Sequence, residues 1–136
     1  MSKTGSIVIV EDDHDDQEML KEVFHELEIS NSVYFFTSAL LAFEYLVTVT
    51  ETPFLIISDI NLPAVTGFEL KDKINKHDGL RMKNIPFIFL STTSDNNAIQ
   101  QSYKLGAQGY FVKPRKYVEI KEMMQIIVGY WKLSSI

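Results

Sequence analysis

Five short apolar runs punctuate the chain, and between them apolar residues return with helical spacing. The run at 54–57, Phe54, Leu55, Ile56 and Ile57, has no polar alternation and predicts a strand covered on both faces, as in parallel sheets. Runs at 7–10, 33–36, 87–90 and 109–112 predict four more strands. After the first, Leu20, Val23, Phe24 and Leu27 fall at i, i+3, i+4 and i+7 of a helix whose positive N-terminus suits Asp13, Asp15 and Asp16. A second helix, capped by Thr37 or Ser38, carries Leu40, Leu41, Phe43, Tyr45 and Leu46. The turn at Pro63 and Gly67 leads to a shorter third helix with Phe68, Leu70 and Ile74, and HDGLRMKN reads as a polar connection to Pro86. A fourth helix starts at a Ser94 or Asp95 cap and ends at Gly106, and a fifth puts Ile120, Met123, Met124, Ile127, Tyr130 and Trp131 on one face.

Strands alternating with helices predict a doubly wound α/β sandwich: a five-stranded parallel sheet with right-handed crossovers and five helices. The order 2-1-3-4-5, common for such sheets, is adopted as the expectation; it puts the switch-point crevice between strands one and three. No linker, repeat or low-complexity segment interrupts residues 1–136, so a single domain without an output domain is expected.

Composition narrows the class. At 46% hydrophobic and 23% charged the chain is ordinary for a soluble globular domain, and no apolar run nears the roughly 20 residues that cross a bilayer. The first residues do not resemble a secretory signal, and with no cysteine there is no thiolate metal site or thiol nucleophile, so the cytoplasm is the expected compartment. A net charge of −5 argues against a nonspecific nucleic-acid surface.

The predicted strand ends carry the candidate chemistry. Strand one runs into Glu11 and Asp12, and strand three into Asp59, so three carboxylates converge on the crevice. Like charges at close range raise one another's pKa, and a divalent cation is the simplest compensation. An all-oxygen set that leaves room for water and phosphate favours Mg²⁺ over a calcium cage. An EF-hand reading of EDDHDDQE fails because no glycine lies between Gly5 and Gly67. The plainer alternative, acids decorating a helix start, stays open on this run alone. Strand four ends in Ser91 and strand five in Lys113 before Pro114, a hydroxyl and an ammonium suited to a phosphoryl group.

The acidic pair after strand one, the SDINLP, FLST and GYFVKP segments, and their order and spacing resemble the receiver domain of two-component response regulators over nearly the whole chain. The resemblance implies a flavodoxin-like receiver fold, with Glu11, Asp12 and Asp59 as Mg²⁺ ligands and Asn61 as a further ligand through its backbone carbonyl. It implies Asp59 as phosphoacceptor, Ser91 contacting the phosphoryl group, Lys113 pairing with it, Tyr110 as the switch aromatic beside Ser91, and a cis bond before Pro114. The implied donor is a histidine kinase or histidine phosphotransfer protein, and the implied reaction is self-phosphorylation and reset by hydrolysis rather than conventional enzyme turnover. Because no effector follows Trp131, the expected output is a protein partner or a homodimer at the face of the fourth helix, fifth strand and fifth helix, with no direct nucleic-acid or membrane role.

Some positions depart from the commonest pattern. Thr92 stands where alanine or glycine is frequent, which narrows access to Asp59, and the 76–84 connection is longer than in compact receivers and resembles stand-alone receivers paired with bacterial phytochromes. His14, beside the acids, reads as an exposed first-turn residue. A phosphatase of the haloacid dehalogenase type lacks its second aspartate here, since Asn61 holds that position, and a flavodoxin would have a hydroxyl-rich loop where Glu11 and Asp12 stand. A docking module that is never phosphorylated remains the alternative.

Overall fold

The computed structural model describes residues 2–135. In chain order the elements are β1 (Ile7–Val10), α1 (His14–Glu26), β2 (Val33–Phe36), α2 (Ala39–Thr48), β3 (Leu55–Ser58), α3 (Gly67–Lys76), α4 (Asp78–Lys83), β4 (Phe87–Ser91), α5 (Asn96–Lys104), β5 (Gly109–Val112) and α6 (Tyr117–Leu133). The five strands are parallel in the order β2-β1-β3-β4-β5, as expected. Successive residues of β1, β3 and β4 point to opposite faces, and both faces are covered. Ile7, Ile9, Leu55, Ile57, Ile88 and Leu90 pack with α1 and α6. Val8, Val10, Ile56, Phe87 and Phe89 pack with α2, α3 and α4.

There are six helices among the described residues rather than five. The additional one, α4, lies in the stretch read as a polar connection. It is six residues long, its first turn is capped by the His77 ring nitrogen accepting the Leu80 N–H at 3.1 Å, and it stops at Asn84 in the left-handed region (φ 51°). Leu80, 2% exposed, is its buried anchor.

The helix faces differ in detail from the periodicity. Ala39, Ala42 and Leu46 form the buried stripe of α2, whereas Leu40 and Leu41 are exposed. In α6, Ile120, Met124, Ile127, Val128 and Trp131 are buried, and Tyr130 faces outward. Ser38 and Asp95 are the caps of α2 and α5. The turn after α5 uses Gly106 at φ 79°, a conformation open to glycine at no side-chain cost.

Gly67 fixes the loop that follows β3. Its N–H donates to Ile60 O at 2.9 Å, and a Cβ at this position would lie 2.1 Å from the Asp59 carbonyl oxygen. The neighbour is backbone, so it cannot swing aside. Gly67→Ala should therefore lower stability by about 1–3 kcal/mol through overpacking. Urea unfolding checks this, and an unchanged midpoint with an unchanged slope would contradict it.

Candidate functional site

The parallel ladder carries the site residues to one edge of the sheet. Glu11 N–H donates to Phe36 O at 2.9 Å, Asp59 N–H to Val10 O at 3.0 Å, and Lys113 N–H to Ser91 O at 2.7 Å, so each strand is prolonged by one bonded residue. Glu11, Asp12 and Asp59 thereby offer carboxylate oxygens that all lie within 4.8 Å of one another. Glu11 is buried, Asp59 half-buried and Asp12 exposed. That gradient leaves an open side toward solvent at Asp12.

Lys113 enters this cluster from β5. Its Nζ donates to Glu11 Oε1 at 2.6 Å and to Asp16 Oδ2 at 3.0 Å, and lies 3.7 Å from Asp59 Oδ2. Asp59 Oδ1 accepts the Ile60 N–H at 2.7 Å, and the Asn61 N–H also supports the carboxylate. Asn61 itself is exposed, in the loop just beyond β3. Ser91, fully buried at the end of β4, has its Oγ facing the Thr93 N–H at 3.4 Å. Tyr110 stands opposite Phe89 in the β4–β5 register and donates its hydroxyl to Thr93 O at 2.7 Å. Thr92 is exposed and lines a cavity of about 430 Å³ with Asp16, Lys113, Pro114 and Arg115. His14 is exposed at the start of α1, as expected.

The structure differs from expectation at Pro114: the Lys113–Pro114 bond is trans, and no peptide bond among the described residues is cis. Trans is the lower-energy isomer before proline by about 0.5–1 kcal/mol. Here the Lys113 N–H keeps its ladder bond and the ammonium reaches its carboxylates with the trans bond in place.

Asp16 is a contact of the site that the sequence does not single out, because an acid in the first turn of α1 already has an explanation in the helix dipole. Gln17 is a second: it is buried, and its amide donates to Glu11 O at 2.5 Å, holding the acidic loop to α1. Asp13 caps the helix by accepting the Asp16 N–H at 2.9 Å.

Burial raises the Glu11 carboxyl above its ordinary value against the pull of Lys113, and Asp59 adds to the rise. Asp59 is raised for the same first reason, with Asp12 adding to it and Lys113 opposing. Burial would lower the Lys113 ammonium, but the hydrogen bond and charge of Glu11, with Asp16 and Asp59, leave it above the usual lysine value. A carboxyl raised in the folded state favours folding when protonated. Ion-free protein should gain stability from Glu11 and Asp59 as pH falls through their raised values, the gain being complete below their ordinary 4.5 and 3.8. It loses that contribution as pH rises. Urea midpoints of wild type and Asp59→Asn, measured from neutral to mildly acid pH, should shift relative to each other in favour of wild type on acidification. A difference that does not change with pH contradicts the raised value at Asp59.

The donor set suits a hard divalent ion: three carboxylates of graded exposure, no sulfur or histidine among them, and an open side for water. Glu11 and Asp12 from the end of β1, with Asp59 from the end of β3, are the residues that fit it.

A sheet of this order with acids at its switch point and a lysine from the last strand defines a class, and the sequence model of the response regulator receiver domain matches residues 7–125. The chain belongs to that family and is a receiver of two-component signalling. It is 29% identical over 130 residues to the response regulator Rcp1 of Synechocystis sp., covering 92% of this chain and 87% of Rcp1. Among solved structures, the Mn(2+)-bound form of Rcp1 matches with a TM-score of 0.83 at 26% identity, over 97% of each chain. The phosphorylated cyanobacterial phytochrome response regulator RcpA matches with a TM-score of 0.86 at 25% identity, covering 97% of this chain and 96% of RcpA. No helix among the described residues is long and apolar enough to cross a membrane.

Proposed function

We propose that the chain accepts a phosphoryl group on Asp59 from a phosphohistidine donor in a Mg²⁺-dependent reaction. The observation that carries this reading is the convergence of Asp59 with Glu11 and Asp12, carboxylate oxygens within 4.8 Å, under an ammonium 3.7 Å from Asp59 Oδ2. Glu11, Asp12, Asp59 and the Asn61 carbonyl would hold the ion, which when bound neutralises charge on the phosphoryl oxygens. An Asp59 carboxylate oxygen attacks phosphorus as the phosphorus–nitrogen bond breaks, and the departing imidazole keeps the electron pair and takes a proton from solvent. The Lys113 ammonium supplies compensating charge beside the acceptor, and the Ser91 hydroxyl is a donor at the adjacent strand end. Water later cleaves the acyl phosphate to inorganic phosphate, restoring the carboxylate.

The donor is a histidine kinase or histidine phosphotransfer protein, and the similarity to the cyanobacterial phytochrome response regulator RcpA favours a phytochrome-type kinase. The expected setting is the cytoplasm. Phosphoramidate with Mg²⁺ should label the protein, and neutral hydroxylamine should remove the label, since it cleaves acyl phosphates and spares phosphoserine. A hydroxylamine-resistant label would place the phosphoryl group elsewhere, and no label would favour a docking module.

Output would lie on the face of α5, β5 and α6, which is the expected face of the fourth helix, fifth strand and fifth helix with α4 as an additional element before them. The Tyr110 hydroxyl ties the Thr93 carbonyl ahead of α5, so movement of Ser91 toward a phosphoryl oxygen would be felt at this latch. Exposed Tyr103, Val112 and Val118 give the face apolar area for a partner or a second copy. Light scattering with and without fluoroberyllate should show a change in self-association or, once a partner is known, in binding. Tyr110→Ala should weaken that response without preventing phosphorylation. A folded Tyr110→Ala protein with an undiminished response contradicts the switch.

A further inference from the structure

Lys113 is committed before any phosphoryl group arrives. Its side chain is 8% exposed, and its ammonium is held by Glu11 Oε1 at 2.6 Å and Asp16 Oδ2 at 3.0 Å. The other Glu11 oxygen, Oε2, accepts the Asp13 N–H at 3.1 Å, so both oxygens of this buried carboxylate are engaged. Each oxygen keeps a second lone pair, but a cation that draws on Glu11 takes charge from the oxygens that hold Lys113 and the Asp13 N–H and weakens those contacts. A weakened Glu11 contact leaves the nearly buried ammonium dependent on Asp16 Oδ2 at 3.0 Å, since Asp59 Oδ2 is farther off at 3.7 Å and is itself one of the acids facing the cation; an ammonium with too little counter-charge is costly in a low-dielectric site.

Asp16 answers that cost. Among the described residues it is the second carboxylate within hydrogen-bond distance of Lys113 Nζ, and it stands apart from the three acids whose oxygens gather within 4.8 Å. It is also held in place, because its own N–H donates to the capping Asp13 Oδ1 at 2.9 Å in the first turn of α1. Its side chain is 34% exposed, so its charge is supported by water when it takes over the ammonium.

We propose that Asp16 is a positioning residue for the metal site: it is the counter-ion that retains Lys113 when Glu11 turns to the cation. Asp16 does not touch the ion and acts through Lys113. This inference rests on the proposed assignment of Glu11, Asp12 and Asp59 as ligands.

Titration calorimetry with Mg²⁺ alone tests it. Asp16→Asn should weaken Mg²⁺ binding by about tenfold or more, the low end of what losing a group that supports a metal ligand costs. Asp15→Asn removes the same charge from the same helical turn, where the side chain makes no ion pair with Lys113, and should weaken binding far less. Asp16→Glu, which keeps the carboxylate, should recover most of the loss. In a Lys113→Met background the two asparagine variants should behave alike, because no ammonium is left to retain. Equal losses in Asp16→Asn and Asp15→Asn with Lys113 present would overturn the proposal, as would tighter binding by Asp16→Asn. A persisting Asp16→Asn deficit in the Lys113→Met background would also overturn it. These results leave phosphorylation of Asp59 standing if wild type is still labelled, whereas a wild type that binds no Mg²⁺ overturns both readings.

Discussion

Asp59→Asn is expected to abolish phosphoryl incorporation from any small phosphodonor. The substitution keeps the size of the side chain and can keep the bond from the Ile60 N–H to Oδ1, but an amide oxygen is no nucleophile toward phosphorus. Loss by unfolding is separable from loss of chemistry. Burial and Asp12 raise the Asp59 carboxyl, so removing its charge relieves repulsion, and the ion-free variant should be at least as stable as wild type at neutral pH. Intact mass after incubation with acetyl phosphate and Mg²⁺, alongside a thermal melt, reads both effects. A folded Asp59→Asn protein that takes up phosphate stoichiometrically would remove Asp59 from the mechanism.

The second large effect is stabilisation by the ion. A ligand that binds only the folded chain at 100 times its dissociation constant adds about 2.7 kcal/mol, which for a domain of this size raises Tm by roughly 10 °C. The gain is helped by carboxyls that burial first, and neighbouring carboxylates to a smaller extent, hold above their ordinary values without a cation. Asp12→Ala should remove most of the shift while leaving the buried Glu11–Lys113 pair intact, because Asp12 is exposed and makes no ion pair with Lys113. An unchanged Tm in millimolar Mg²⁺, equal for wild type and Asp12→Ala, would contradict a metal site here.

What was legible in the sequence follows from what each element needs. The residues of β1, β3 and β4 are buried on both faces, so they had to be continuous apolar runs, and the residues ending those runs had to be the ones at the crevice. That logic located Glu11, Asp12, Asp59 and Ser91 together, and Lys113 follows the short run of β5, which is only partly buried. It could not find α4, whose sequence DGLRMK offers one buried anchor and a glycine, and whose cap is a histidine ring nitrogen rather than a hydroxyl or carboxylate. Helical periodicity put Tyr130 on the same face as the buried residues of α6 and did not single out which apolar residues of α2 are buried, since exposure there is decided by how α2 and α6 lie on the sheet. The trans bond at Pro114 and the contact between Asp16 and Lys113, 97 residues apart, are tertiary outcomes with no local signal.

The most direct measurement is the intact mass of wild-type protein exposed to acetyl phosphate in Mg²⁺ or in chelator, followed by mapping of the modified peptide. The expected result is one phosphoryl group per chain in Mg²⁺, carried by the peptide containing Asp59, and none in chelator. Incorporation that ignores the chelator, maps away from Asp59 or never occurs would contradict the account.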